Sequence, residues 1–263
     1  MKIWVQSGSG LTKDAKSVKY GKKYEESLNK HFQEVARPGT KVDVYGIGST
    51  PVGKDRYYSS QHIVASLMIK SVLQAKPQGY DAVAIVNTLD HGYYEIHEIV
   101  DLPLVFITEA SLYVACMLAP RFAFLTHNES LLLRMTELAR RYGMTDRMAP
   151  GANLNLVYED FPKMYADPKT YIERFTEEGR KVIRQGANVL LLAGNPFNMF
   201  MVDQGVKEID GVPVLDVCGA VIKVAELLVD LEKMGARRSK RGLFAIPKPN
   251  EIEQIQKLYL ESV

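Results

Sequence analysis

Cysteine is scarce in this chain: Cys116 and Cys218 are the only two among 263 residues. Two are too few for a disulfide framework, and no Cys-X-X-Cys pair or close Cys/His group has the spacing of a zinc site. An excess of one charge is also missing. Lys and Arg number 33 against 31 Asp and Glu, and a net charge of +2 excludes an electrostatic grip on nucleic acid or a membrane surface. No apolar run approaches the ~18 residues a membrane helix needs. The opening MKIWVQSGSG has one Lys and a short apolar stretch, unlike a secretory leader. The cytoplasm is therefore the expected compartment, with no membrane and no nucleic acid among the partners.

What is present is an ordinary globular balance, 46% hydrophobic and 24% charged. The length suits one large α/β domain or two of about 100–150 residues. Short apolar runs rich in Val, Ile and Leu recur at residues 2–7, 41–47, 81–87, 102–108, 121–126, 154–159, 188–194 and 212–217. They show little alternation, as expected of parallel strands covered on both faces. Amphipathic stretches lie between them. In THNESLLLRMTELARRYGM, Thr126 and Glu129 predict a capping box and Gly143 a helix end. In DPKTYIERFTEEGRKVIRQGA, Asp167 is the expected N-cap and Pro168 the first helical residue. Strand–helix alternation predicts doubly wound parallel sheets, arranged as two similar α/β halves with no low-complexity linker.

Ligands of such sheets bind beyond the carboxyl ends of the strands. The first strand runs into SGSG, where Ser7, Ser9 and Gly10 offer hydroxyls and close backbone N–H groups to an anion, or form a plain turn. The spacing is neither GxGxxG nor a P-loop, which excludes a nucleotide site there. NTLDHG places Asn87, Thr88, Asp90 and His91 at a strand end, where Asp90 serves either as a helix cap or as an acid–base group. A metal held by Asp90, His91 and Glu95 lacks a further His or Cys, so none is expected. AGNPFN puts Gly194, Asn195 and Pro196 at the equivalent end in the second half. GSTPVGKDRYY, with Tyr57 and Tyr58, is a lid or a surface loop; ITEAS places Glu109 as a cap or a site acid. Cys116 reads as core, Cys218 as packing, and His127 as a residue bordering the cleft.

The stretches QSGSG, GSTPVGKDRYYSSQ, VNTLDHG, DLPLVFITEAS, GANVLLLAGNPF, GVPVLDVCGAVIKVAE and MGARRSKRGLFAIPKP, in this order, resemble the aspartate/glutamate racemase superfamily, its hydantoin/allantoin racemase branch most closely. The likeness covers all but about the last dozen residues. It implies two pseudo-symmetric lobes, residues 1–112 with 217–263 and residues 113–216, around a small-molecule cleft. It also implies no dissociable cofactor and, by analogy, a homo-oligomer. In that family one cysteine from each lobe flanks the substrate; one thiolate removes the α-proton and the opposite thiol returns one. The resemblance aligns Asn87 and Gly194 with those cysteines, and neither residue can exchange a proton near neutral pH.

The expected activity is therefore acid–base chemistry without thiols on a small carboxylate or cyclic amide. Isomerisation, elimination and hydrolysis all fit, with Asp90, His91 and Glu109 as catalytic candidates. Ser7, Ser9, Gly10, Tyr57, Asn87, Thr88, Gly194, Asn195 and Pro196 are the candidate substrate contacts. The alternatives are a racemase with other groups in place of the thiols, and a binding protein or inactive relative.

Overall fold

A computed structural model describes residues 1–11, 18–51, 53–157 and 160–261, the side chains of 18–21 and 260–261 excepted. The first half builds β1 (Lys2–Ser7), α1 (Val18–Val35), β2 (Lys41–Tyr45), α2 (Tyr58–Val72), β3 (Ala82–Val86), α3 (Tyr93–Ile99), β4 (Leu104–Phe106) and α4 (Ile107–Leu118). The second builds β5 (Phe122–Thr126), α5 (Glu129–Arg141), β6 (Ala152–Asn153), α6 (Phe161–Ala166), α7 (Pro168–Arg184), β7 (Val189–Ala193), α8 (Asn195–Asp203), β8 (Glu208–Ile209) and β9 (Val212–Leu215). The chain finishes with α9 (Val217–Lys233) and α10 (Pro249–Glu261). Two sheets result, ordered β2-β1-β3-β4 and β6-β5-β7-β9-β8. All pairings are parallel except that of β8 with β9.

Successive strand side chains point to opposite faces, and here both faces are covered. Ile3 and Val5 join Ala82, Ala84 and Val86 in a core that continues through α1 and α9 to Phe122, Phe124, Val189 and Leu191 of the second sheet. The intervening Trp4, Val83 and Ile85 face α2 and α3 instead. In the second lobe Ala123, Leu125, Leu190 and Leu192 pack on the other side with Phe175 and Phe200. The runs lack alternation because each residue of a strand has a hydrophobic layer to enter. α9 returns from the second sheet and packs on α4, α1 and β3 of the first.

Two helix termini follow the sequence reading. Asp167 caps α7 by accepting from Thr170 N, with Pro168 as its first residue, and Gly143 takes φ +70° just after α5. The cap of α5 differs from expectation: Asn128, not Thr126, accepts from Leu131 N, at 2.8 Å. The strand expected over 102–108 ends at Phe106 because α4 begins at Ile107, so Thr108 and Glu109 lie in the first helical turn. The run at 154–159 is not a strand over Leu154–Val157; the pairing stops at Asn153, and residues 158 and 159 lie outside the described ones. The two-residue β8 carries no sequence signal. Among the described residues no helix is long and apolar enough to cross a membrane.

Candidate active site

The carboxyl ends of β3 and β7 meet. Asn195, in the first turn of α8, donates from Nδ2 to the Val86 carbonyl at 3.1 Å, and its Oδ1 accepts from Thr88 Oγ1 at 3.0 Å. One side chain of the second lobe thus engages both backbone and side chain at the strand end of the first. The turn that allows this is Gly194, whose φ of +111° disfavours any residue with a Cβ. Pro196 follows in that first turn of α8, where its missing N–H costs nothing. On the opposite side Asn87 is buried, and its amide fills the space above Gly8: a Cβ on Gly8 would stand 2.0 Å from Asn87 Nδ2. Asn87 Oδ1 accepts the His91 N–H at 3.4 Å.

The end of β1 and the segment 53–57 complete the wall. Ser7 Oγ accepts from Ser9 N, and Gly10 N donates to Thr50 Oγ1 at 2.8 Å. Lys54 Nζ donates to the Gly8 carbonyl and to Ser9 Oγ, at 2.8 and 2.6 Å. The next residue reaches the other lobe: Asp55 Oδ2 accepts from Asn128 Nδ2 at 2.9 Å and lies 3.3 Å from His127 Nε2. Arg134 of α5 donates to the Arg56 carbonyl and lies over the Tyr58 ring. The segment therefore crosses from one lobe to the other, as a lid would. Burial alone would raise the Asp55 carboxyl, but hydrogen bonds from His127 and Asn128 outweigh it and hold it at about 2. It is an anion at any ordinary pH. The His127 ring stacks on Phe197, and its Nδ1 lies 3.2 Å from where a Cβ on Gly194 would be.

The expected catalytic carboxylates are engaged by other groups. Asp90, with a left-handed φ of +46°, is buried, and its oxygens accept from Thr108 N, Glu109 N and Tyr142 Oη at 3.1, 3.0 and 2.8 Å. It caps α4 across space, not the helix that follows it, and three donors engage its two oxygens. Burial pushes its carboxyl up to about 7 against the pull of those three donors. Glu109 accepts from Tyr93 Oη at 2.7 Å and lines a different cavity of about 870 Å³, together with His97, Tyr113, Arg238 and Phe244. Burial raises its carboxyl as well. Tyr57 is 55% exposed, and its ring folds back over Gly53 of its own loop.

His91 remains with the site. Both ring nitrogens are buried and, among the described residues, have no hydrogen-bond partner. Burial, then the fields of Lys54, Arg141 and Arg134, lowers the imidazole to about 3, so the ring is neutral. A buried polar ring without a partner is costly unless something else bonds to it. No thiol stands at either strand end. Cys116 is in α4, with Sγ 3.8 Å from Met144 Sδ. Cys218 is fully buried in α9, where burial pushes its thiol well above the usual range. Among the described residues no group of three His, Cys, Asp or Glu is arranged to hold a metal ion.

The strand ends thus gather Ser7, Ser9, Gly10, Asn87, Thr88, His91, Gly194, Asn195 and Pro196, while the Asp90 and Glu109 carboxylates are engaged by Thr108 N, Glu109 N, Tyr142 and Tyr93, and Tyr57 is exposed. Sequence reasoning missed Lys54 and Asp55 and undervalued His127. His127 directly follows β5, but the carboxylate that marks it is far away in the chain.

Comparison with known proteins agrees with this architecture. The chain is 29% identical over 219 residues to a hydantoin racemase of Pseudomonas sp. (strain NS671), covering 83% of this chain and 85% of that one. Its fold is similar to the allantoin racemase of Klebsiella pneumoniae, with a TM-score of 0.76, 22% identity and 94% of each chain covered. An allantoin racemase structure from Pseudomonas fluorescens gives a TM-score of 0.75 at 22% identity, over 95% of this chain and 98% of that one. Residues 21–225 match the family model for Asp/Glu/hydantoin racemases, and the chain belongs to that family.

Proposed function

We propose that this protein is a racemase-type isomerase acting on a small cyclic ureide or related carbonyl compound, with acid–base groups other than thiols. One observation carries the reading. The interlobe strand ends are joined by the Thr88–Asn195–Val86 hydrogen bonds, lack a cysteine, and have an imidazole beside each: His91 after Asn87, His127 against Gly194. Imidazole is the side chain most often used as a general base, and His91, neutral through burial, is suited to hydrogen-bonding a substrate. The reaction needs no net change in atoms. The C–H electron pair moves into the adjacent carbonyl, and a proton returns to the opposite face of the resulting enolate. The amides of Asn87 and Asn195 and the Lys54 cation are suited to orienting a carbonyl and stabilising charge that develops on its oxygen.

The hydantoin racemase at 29% identity supports a hydantoin-like substrate class. Racemisation fits better than elimination or hydrolysis, because the carboxylates offered for those reactions are already engaged, Asp90 by Thr108 N, Glu109 N and Tyr142 Oη and Glu109 by Tyr93 Oη. The test is a panel of single-enantiomer 5-substituted hydantoins and allantoin in D2O, followed by polarimetry and mass spectrometry. Loss of rotation with one deuterium gained at the α-carbon is expected. A product that has gained water, or turnover without deuterium, would refute isomerisation. Tight binding with neither outcome would make the protein a binding relative.

A further inference from the structure

We infer that His127 is the proton-transfer group of the second lobe, standing where a thiol at position 194 would otherwise act, and that Asp55 on the 53–57 segment orients it. This rests on the isomerase reading of the same site and names the base within it. Gly194 has no side chain, and the space beside its Cα is occupied by the His127 ring: Nδ1 lies 3.2 Å and Cε1 3.8 Å from the position of a Cβ there. The other ring nitrogen, Nε2, faces Asp55 Oδ2 at 3.3 Å. An ionised carboxylate selects the tautomer with the proton on Nε2, which leaves the Nδ1 lone pair directed at the strand end. The ring is held in that orientation by stacking on Phe197, nearly parallel at 13°, and by an edge contact with Phe161.

Asp55 is itself fixed. Asn128 uses both ends of its amide, accepting from Leu131 N to cap α5 and donating to Asp55. Arg56 Nε lies 3.7 Å from the other carboxylate oxygen. Carboxylate, imidazole and strand-end space form a relay of the kind in which a base is oriented by a third group. The step balances. Nδ1 takes the α-proton of a carbonyl compound, the C–H pair becomes the enolate, and Asp55 stabilises the imidazolium without taking its proton. Protonation of the opposite face by solvent water gives the inverted centre and leaves hydroxide to take the proton from Nδ1, whereas return from Nδ1 restores the original. Asp55 rides on the segment whose Lys54 bonds Gly8 and Ser9, so the relay is complete only when that segment is seated across the lobes.

The experiment has two arms on the full chain. The first is 15N NMR of imidazole-labelled protein, with His127→Gln assigning the resonance and no substrate required. The expected ring is Nε2-protonated in the wild type and loses that fixed tautomer in Asp55→Asn. The second is α-H/D exchange of a 5-substituted hydantoin in D2O. His127→Gln should lower kcat by about 10²–10⁴-fold with KM little changed, and Asp55→Asn by about 10²-fold through misorientation. An Nδ1-protonated ring, or His127→Gln exchanging at the wild-type rate, overturns the assignment while leaving the isomerase reading intact. Absence of exchange by the wild type, with the tautomer as expected, overturns the isomerase reading and the catalytic role together, while the Asp55–His127 geometry stands. Thermal unfolding of both variants separates lost chemistry from lost fold.

Discussion

If Asp90 is a cap and not an acid–base group, replacing it should cost stability first. Its oxygens satisfy the N–H groups of Thr108 and Glu109 and the hydroxyl of Tyr142. Asp90→Ala orphans all three donors. Each unsatisfied buried donor costs about 1–3 kcal/mol, so the gross loss is roughly 3–9 kcal/mol. Two effects reduce it. The Glu109 and Tyr142 bonds are only partly buried, so water can reach them. Burying the charge is itself unfavourable, as the carboxyl raised to about 7 records. A net loss of about 2–4 kcal/mol remains, which for a chain of this length lowers Tm by roughly 4–16 °C. The measurement is calorimetry and urea unfolding at pH 8.5, where the carboxyl is ionised and can accept all three bonds. Tyr142→Phe supplies the control: with one donor already gone, Asp90→Ala should cost about 1 kcal/mol less than in the wild type. An unchanged Tm for Asp90→Ala, or strict additivity with Tyr142→Phe, would refute the cap.

Three further outcomes follow from the same geometry. The Asp55 carboxyl, held at about 2 against an ordinary 3.8, contributes about 2–3 kcal/mol that is fully present above pH 4 and is lost as pH falls from 4 to 2. Asp55→Asn should therefore flatten the acid limb of stability against pH, and an unaltered limb would contradict the His127 and Asn128 bonds. Gly8→Ala drives a methyl into the Asn87 amide and should cost about 1–3 kcal/mol while displacing that amide; a wild-type urea midpoint would show that Asn87 does not sit there. Cys116→Ser combined with Cys218→Ala should leave turnover within a few-fold of wild type, and loss of activity in a folded double variant would return thiol chemistry to the mechanism.

The parts of the fold legible in the sequence are those set by local physics. The central strands β1, β3, β5 and β7 are apolar runs because two hydrophobic layers cover them, and Asp167–Pro168 and Gly143 mark helix ends through their own backbone preferences. What failed to show depends on partners far away in the chain. Asp90 looked like the cap of the helix after it, but its donors are the N–H groups of Thr108 and Glu109. Glu109 looked like a strand-end acid because Phe106 and Ile107 continue one apolar run across the boundary between β4 and α4. His127 carried no local motif because the carboxylate beside it is 72 residues upstream. The site loops were readable as strand ends; the roles within them were decided by tertiary contacts.

The two strand ends share one construction. In each, a glycine makes room for a polar side chain from elsewhere: Gly8 for the Asn87 amide, Gly194 for the His127 ring. The second is the more constrained, since Gly194 also has φ +111°. Reintroducing a thiol by Gly194→Cys meets two costs at once. The backbone disfavours a Cβ by about 1–3 kcal/mol, and the new side chain must displace an imidazole whose Nδ1 lies 3.2 Å from its first atom. Gly194→Cys should therefore unfold at lower urea and gain no racemisation, whereas His127→Ala with Gly194→Cys should recover the steric part of the loss and retain the backbone part. Equal stability of Gly194→Cys in the presence and absence of His127 would mean that ring and residue 194 do not compete for one space. The position of a catalytic group in this cleft is then a property of the space at the strand end, open to whichever neighbouring residue the fold brings there.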